Sequence, residues 1–399
     1  MLRIMTIAVF AMMSMAETAS AIKGEFSFEL NAELLKFLDC KECGGKSASK
    51  ISLNQKTIIS SQSKCLNQVQ NNEYTLYSAS GDTSVNEVNF GDFFCSYKNS
   101  NWSVSLGFMS IEWSQNIGPQ ITDFFSAYDY RFTPFVGPRF RYTQPLLKLD
   151  YYTKSMNLSF FASTKPHSNK FSLAALNSVP FSVEAEKTEP FQKFDYGIRL
   201  SFQGSGADLS LSALSIQDRD PQPAFDSSVS RIFLKNESFQ TYGVGSTFDF
   251  LGSILRLDYQ FVNQRKIADN SFNLIPVNEN AFSVGVDSPP LIDTIFSVQY
   301  SLLAPVTKNF VGALEPVKEF LILRGLYAGS NKKSLEVTGL INQKDQSKAL
   351  KIDYSWAGNS YADLHTGAEY FYGEKDKSFS SYLNQSRIYL GISAIISDR

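Results

Sequence analysis

The chain has 399 residues, a formal net charge of −2 at pH 7 and 19% charged residues, so a nucleic-acid partner has no electrostatic support. Past the N-terminus, no apolar run approaches the roughly 20 residues that a membrane helix needs. The 33 Phe and 19 Tyr are scattered among polar residues instead of being grouped.

Residues 1–21 have the layout of a cleaved secretory signal peptide. Arg3 supplies the positive start, Ile4 to Met15 is apolar except for Thr6 and Ser14, and Ala19-Ser20-Ala21 is a small-x-small cleavage site. No Cys follows the cleavage point, which argues against an N-terminal lipid anchor. The mature chain is expected to start at Ile22 and to be exported, with 22–399 forming one β domain.

The main signal in 22–399 is alternation with period two. Leu255, Leu257, Tyr259 and Phe261 share one face of a segment whose other face carries Arg256, Asp258 and Gln260. The same holds for Tyr196, Ile198, Leu200 and Phe202 against Asp195, Arg199 and Ser201. In the second half, Leu350, Ile352, Tyr354 and Trp356 oppose Lys351 and Asp353. Such segments are expected at 22–31, 86–98, 101–113, 138–153, 155–164, 194–204, 206–217 and 239–251. They continue at 253–264, 280–288, 293–305, 318–329, 334–343, 348–358, 361–373 and 385–397. That makes about 16 strands (range roughly 14–18), most of them as long as a tilted membrane strand.

Tight turns at Asn99-Ser100-Asn101, Lys154, Ser205, Gly252, Ser288-Pro289-Pro290, 330–333 and 358–360 alternate with longer polar loops at 165–193, 218–238, 265–279, 306–317 and 374–384. The brief connection near Gln343 to Ser347 is the exception. Short and long connections around an even-stranded meander predict a closed antiparallel transmembrane β-barrel with short periplasmic turns and longer extracellular loops. Closure is required because an unpaired backbone N–H or C=O in hydrocarbon costs several kcal/mol.

Residues 32–85 interrupt the rhythm and are expected to be a long first loop or plug. Ala32 to Leu38 reads as a short helical turn and Glu73 to Ala79 as an extra strand. This stretch holds Cys40, Cys43 and Cys65, and the four cysteines of an exported chain favour disulfides. A bond from Cys65 to Cys40 or Cys43 is expected, since Cys95 lies near the periplasmic end of its strand, far from an outer loop. Cys40-Lys41-Glu42-Cys43 as a zinc or redox site is the lesser reading, because His167 and His365 are distant in sequence. No metal or cofactor is expected.

Charged residues at Arg139, Arg141, Lys148, Asp150, Arg199, Asp208, Arg256, Asp258, Lys351 and Asp353 are expected to point inward, either tuning ion selectivity or stiffening the barrel as an ion-pair network. Gln144-Pro145 marks a change of phase and predicts a bulge. The loop from Ser114 to Gly137 carries Phe124, Phe125, Tyr128, Tyr130, Phe132 and Phe135, too many rings to stand in water. It is expected to fold into the barrel mouth as a constriction; packing on the rim or on a second copy is the alternative.

The run Asn89-Phe90-Gly91-Asp92-Phe93-Phe94-Cys95-Ser96-Tyr97 leads into Trp102-Ser103-Val104-Ser105-Leu106-Gly107 and Ile111-Glu112-Trp113. Asp195-Tyr196-Gly197-Ile198-Arg199-Leu200-Ser201, Gly206-Ala207-Asp208-Leu209-Ser210-Leu211 and Asp218-Arg219-Asp220-Pro221 follow. Over roughly 86–225 these segments resemble a family of porin-like proteobacterial outer-membrane barrels, which implies a barrel fold. Two positions depart from it: Ser114 replaces a Gly, and the end Ile395-Ile396-Ser397-Asp398-Arg399 lacks the usual closing aromatic.

The functional expectation is a porin-like channel of the bacterial outer membrane for passive passage of small polar solutes. The alternative is a structural or adhesive barrel with a blocked lumen and partner-binding loops. An enzyme is not expected, since no Gly-x-Ser-x-Gly elbow occurs and His365, followed by Thr366-Gly367, reads as a lumen residue. The expected partners are the lipid bilayer, the solutes and, as an open alternative, further copies of the chain.

Overall fold

The computed structural model describes residues 25–37, 47–58, 63–76, 83–111, 113, 121–128, 130, 135, 141–164, 168–169, 183–185, 193–228, 230–269, 271–306, 318–329, 333–357, 362–373 and 386–397, with side-chain packing described between residues 92 and 391. Residues 1–21, Cys40, Cys43, Phe132, Arg139 and His167 lie outside the described residues.

The first half of the chain contributes strands β1 (Glu25–Phe37), β2 (Ser47–Ile58), β3 (Ser63–Leu76), β4 (Thr83–Lys98), β5 (Trp102–Met109), β6 (Ala127–Tyr128), β7 (Arg141–Tyr142), β8 (Gln144–Tyr152), β9 (Met156–Thr164), β10 (Val183–Ala185), β11 (Phe194–Gln203) and β12 (Ala207–Gln217). The second half contributes β13 (Gln222–Asp226), β14 (Arg231–Lys235), β15 (Ser238–Phe250), β16 (Ser253–Ala268), β17 (Leu274–Asp287), β18 (Thr294–Pro305), β19 (Lys318–Gly329), β20 (Lys333–Asn342), β21 (Lys348–Ala357), β22 (Ala362–Tyr372) and β23 (Arg387–Ser397).

Eighteen of these strands form one antiparallel sheet. Each pairs with the next in chain order, skipping only the short β6, β7, β10, β13 and β14. The ring is closed by β23 on β1, from Ser27 opposite Ser397 to Phe37 opposite Arg387. No barrel strand is left with an open edge, the condition that hydrocarbon imposes on a sheet.

The count of eighteen lies at the upper end of the expected range, and the two strands beyond sixteen come from the stretch expected to be a loop or plug. Residues 47–58 and 63–76 are β2 and β3, paired with each other and with β1 and β4. The helical turn expected at Ala32 to Leu38 is the continuation of β1, and Glu73 belongs to the end of β3. Two strands entered together, so the number stays even. Their Ser-, Lys-, Asn- and Gln-rich sequences hide the alternation.

The faces separate by chemistry. Leu147, Leu149 and Tyr151 are exposed on the outside of β8, and Lys148 and Asp150 point inward. Leu350, Ile352 and Trp356 are likewise exposed outside β21. The bulge expected at Gln144-Pro145 is instead a strand break at Thr143: β7 leaves the barrel to pair with β6, and Pro145 stands in β8 opposite Phe108. The loop expected at 265–279 is mostly strand, since β16 runs to Ala268 and β17 starts at Leu274.

Cys95 is disulfide-bonded. Its direct partner in the β3–β4 register is Cys65, near the tight-turn ends of both strands. The expectation that joined Cys65 to Cys40 or Cys43 assumed a loop at Cys65, where the structure has strand. Non-reducing peptide mapping is expected to recover a Cys65–Cys95 pair. Recovery of Cys65 linked to Cys40 or Cys43 would contradict this register.

Candidate functional site

The segment between β5 and β8 leaves the wall and enters the barrel. Ile121 and Phe135 pack in a buried cluster with Ala281, Leu303, Phe320, Ile322, Leu340, Ala349 and Phe371, inward residues of β17 to β22. Trp113 and Phe125 pack in a second cluster with inward residues of β5, β8, β9, β12, β15 and β16. Phe124 touches both clusters. One loop thus reaches from one wall of the lumen to the other. Phe125 is 0% and Tyr128 1% exposed, so water is excluded from the centre of this contact.

Polar bonds give the loop a fixed shape. Asp123 accepts from the backbone of Phe125 and Ser126 and from the Tyr128 hydroxyl at 2.7 Å. Burial first, and then Asp123, push the Tyr128 phenol up, so it remains a donor at any physiological pH. Phe125 stands edge-on to Phe161 with ring centroids 4.8 Å apart, and Arg141 lies over the Tyr128 ring.

Two buried arginines tie the outer loops to this segment. Arg219, in the Asp218-Arg219-Asp220 run after β12, donates to the Phe125 carbonyl at 2.9 Å, to Gln144 at 3.2 Å, and to Asp195. Arg265 on β16 donates to Asp218 at 2.6 and 2.9 Å, to Asp220 at 3.1 Å and to Glu279 at 3.1 Å. Lys318 and Asn169 complete the shell of Asp220 at 3.2 and 2.6 Å, and Asn169 accepts from the Tyr128 backbone. Burial pushes Asp218 up despite Arg265; at Asp220 the burial effect is overcome by Lys318 and Arg265, which hold its carboxyl below the usual range.

Arg265 faces the lumen because of a bulge. Val262 points inward, and simple alternation would send residue 265 outward with Tyr259 and Phe261. The register shifts between Val262 and Arg265, and Gln264 adopts a φ of 53°. One extra residue therefore turns a guanidinium from the outer face into the barrel.

No family model and no curated protein matches the chain. Solved structures do. Acinetobacter baumannii OccAB1 aligns at TM-score 0.58 and 8% identity, covering 94% of this chain and 97% of that one. Pseudomonas aeruginosa OccK8 (OprE) aligns at 0.57 and 10%, covering 94% and 99%. Acinetobacter baumannii OccAB3 aligns at 0.55 and 10%, covering 94% and 100%. The fold is that of a porin-like outer-membrane barrel.

In this porin-like barrel the expected inward residues sort into several groups. Lys148 pairs with Asp150 at 2.9 Å, and Asp150 also accepts from Ser159 at 2.6 Å. Lys351 and Asp353 face each other at 3.4 Å. Arg199, Asp208, Arg256 and Asp258 line one cavity. Arg141 sits on the loop instead of the wall. Of the aromatic set, Phe124, Phe125, Tyr128 and Phe135 join the buried contacts, and the Tyr130 ring lies tilted beside Tyr128 with centroids 5.9 Å apart. His365 is on β22, and its ring lies over Gly391 of β23, where a Cβ would collide with Nε2 and require the ring to move. Sequence reasoning missed Asp195, Arg219, Arg265, Glu279 and Lys318 as a site. The Asp218-Arg219-Asp220 run was the one legible signal.

Proposed function

We propose that the protein resides in the bacterial outer membrane, with its tight turns in the periplasm, and passes small polar solutes by passive diffusion. The lumen is narrowed by the aromatic loop. The observation that carries this reading is the fixing of that loop across the lumen between two apolar clusters, with a charged inward wall left lining the space beside it. A polar interior gives a solute a water-like path, and the loop sets the width of that path. Export by a signal peptide at residues 1–21 and the absence of enzymatic chemistry belong to the same proposal.

The test is swelling of liposomes that contain the refolded barrel, in neutral sugars of graded size. Small sugars are expected to enter and larger ones to be excluded. Failure of even the smallest sugar to enter, with the barrel verified as folded by slower migration after boiling, would favour a blocked structural or adhesive barrel.

A further inference from the structure

We infer that the lumen wall beside Trp113 is a subsite for small zwitterions, solutes carrying one ammonium and one carboxylate group. This rests on the reading above that the lumen admits solutes. The site is a cavity of about 120 Å³, roomy enough for several waters. Trp113 from the inward loop closes one side, and inward residues of β11, β12, β15 and β16 form the other. Ser201, Ser210 and Gly245 make a floor of small residues. A Cβ on Gly245 would stand 2.7 Å from Asp258 Oδ1 and 2.8 Å from Ser210 Oγ, so the glycine is what lets those two side chains lean into the cavity.

Two positive and two negative side chains line this space: Arg199, Arg256, Asp208 and Asp258. Asp258 lies within electrostatic reach of both arginines and offsets one of them. The remaining polar capacity is uneven. Arg199 donates one bond, at 3.3 Å, to the Trp113 carbonyl, and its guanidinium carbon lies 5.3 Å from the Trp113 ring centroid. Arg256 donates to Asp287 at 2.6 Å, and its buried Nε has no partner among the described residues. Asp208 is exposed and accepts only a long bond, 3.5 Å, from Thr247. Spare donors therefore stand on Arg199, and a spare acceptor on Asp208.

A simple anion in the cavity meets Asp208 and Asp258, and a simple cation meets Arg199 and Arg256. A zwitterion satisfies both halves. Its carboxylate matches the planar fork of a guanidinium, and its ammonium matches Asp208. The ring stacking and the carbonyl bond hold Arg199 in place beforehand, so less side-chain freedom is lost on binding. Trp113 is itself fixed edge-on against Phe161, with ring centroids 5.1 Å apart.

Saturation-transfer NMR on the detergent-solubilised full chain, with alanine, propionate and ethylammonium as probes, reads this directly. Alanine is expected to bind about tenfold more tightly than either single-charge probe, the scale of one charge-assisted contact. Asp208→Asn, at an exposed position with little structural role, is expected to reduce alanine to the level of propionate. Equal binding of the three probes, no binding of alanine, or an unaffected Asp208→Asn variant would each overturn the proposal. Binding is read without conduction, so a failure here leaves the channel reading intact. A barrel that binds alanine but fails to swell liposomes would sink the channel reading instead.

Discussion

Deleting Gln120 to Phe135 is expected to raise single-channel conductance several-fold while the barrel still assembles. The segment supplies Ile121, Phe124, Phe125, Tyr128 and Phe135 to the contacts that bridge the lumen. None of its described residues belongs to a strand of the closed ring. At about 25 cal/mol for each Å² of apolar surface hidden, these side chains account for the loop's inward position but not for barrel closure. Removal costs the fixed loop and leaves the backbone ladder whole. Unchanged conductance in a folded deletion variant would reject the constriction, and loss of oligomers alone would favour packing against a second copy.

Arg265→Met is expected to be the most damaging single substitution of the lumen. Arg265 is 4% exposed and its guanidinium meets three carboxylates, Asp218, Asp220 and Glu279. Removing one partner of a buried pair leaves uncompensated charge and typically costs about 3–5 kcal/mol. The cost falls on the outer loops first, since Asp218 and Asp220 lie beyond β12 and β23 still closes on β1. Limited proteolysis is expected to cut within 218–237 at a rate at least tenfold higher than in the unaltered chain, with the heat-dependent gel shift retained. Asp218→Asn in the same variant removes one of the stranded charges and is expected to recover part of the resistance. A protease pattern like that of the parent would show that the latch contributes nothing.

The alternation at 253–264 or 348–358 disclosed the barrel because lipid-type and lumen-type residues alternate there without interruption. It failed at β2 and β3, where both faces are polar enough to read as loop. It failed again at Arg265, which falls in the loop expected at 265–279; the strand continues there past a single bulge that reverses the parity and turns the arginine inward. The aromatic loop was legible, since rings at Phe124, Phe125, Tyr128 and Phe135 require burial wherever they lie. The wall that receives them was not, because Ala281, Leu303, Phe320 and Leu340 belong to strands more than 140 residues away. The ion-pair latch joins Asp195, Arg219 and Arg265 across distances that no local pattern encodes. Only the density of charge in Asp218-Arg219-Asp220 hinted at it.

The central claim is that a solute path remains beside the loop. Recording from the unaltered full chain, reconstituted in a planar bilayer in potassium chloride, tests it most directly. Discrete, stable conductance steps are expected, smaller than those of the Gln120 to Phe135 deletion measured under the same conditions. A correctly folded barrel that inserts yet shows no steps, while the deletion variant conducts, would contradict the account and identify the loop as a seal.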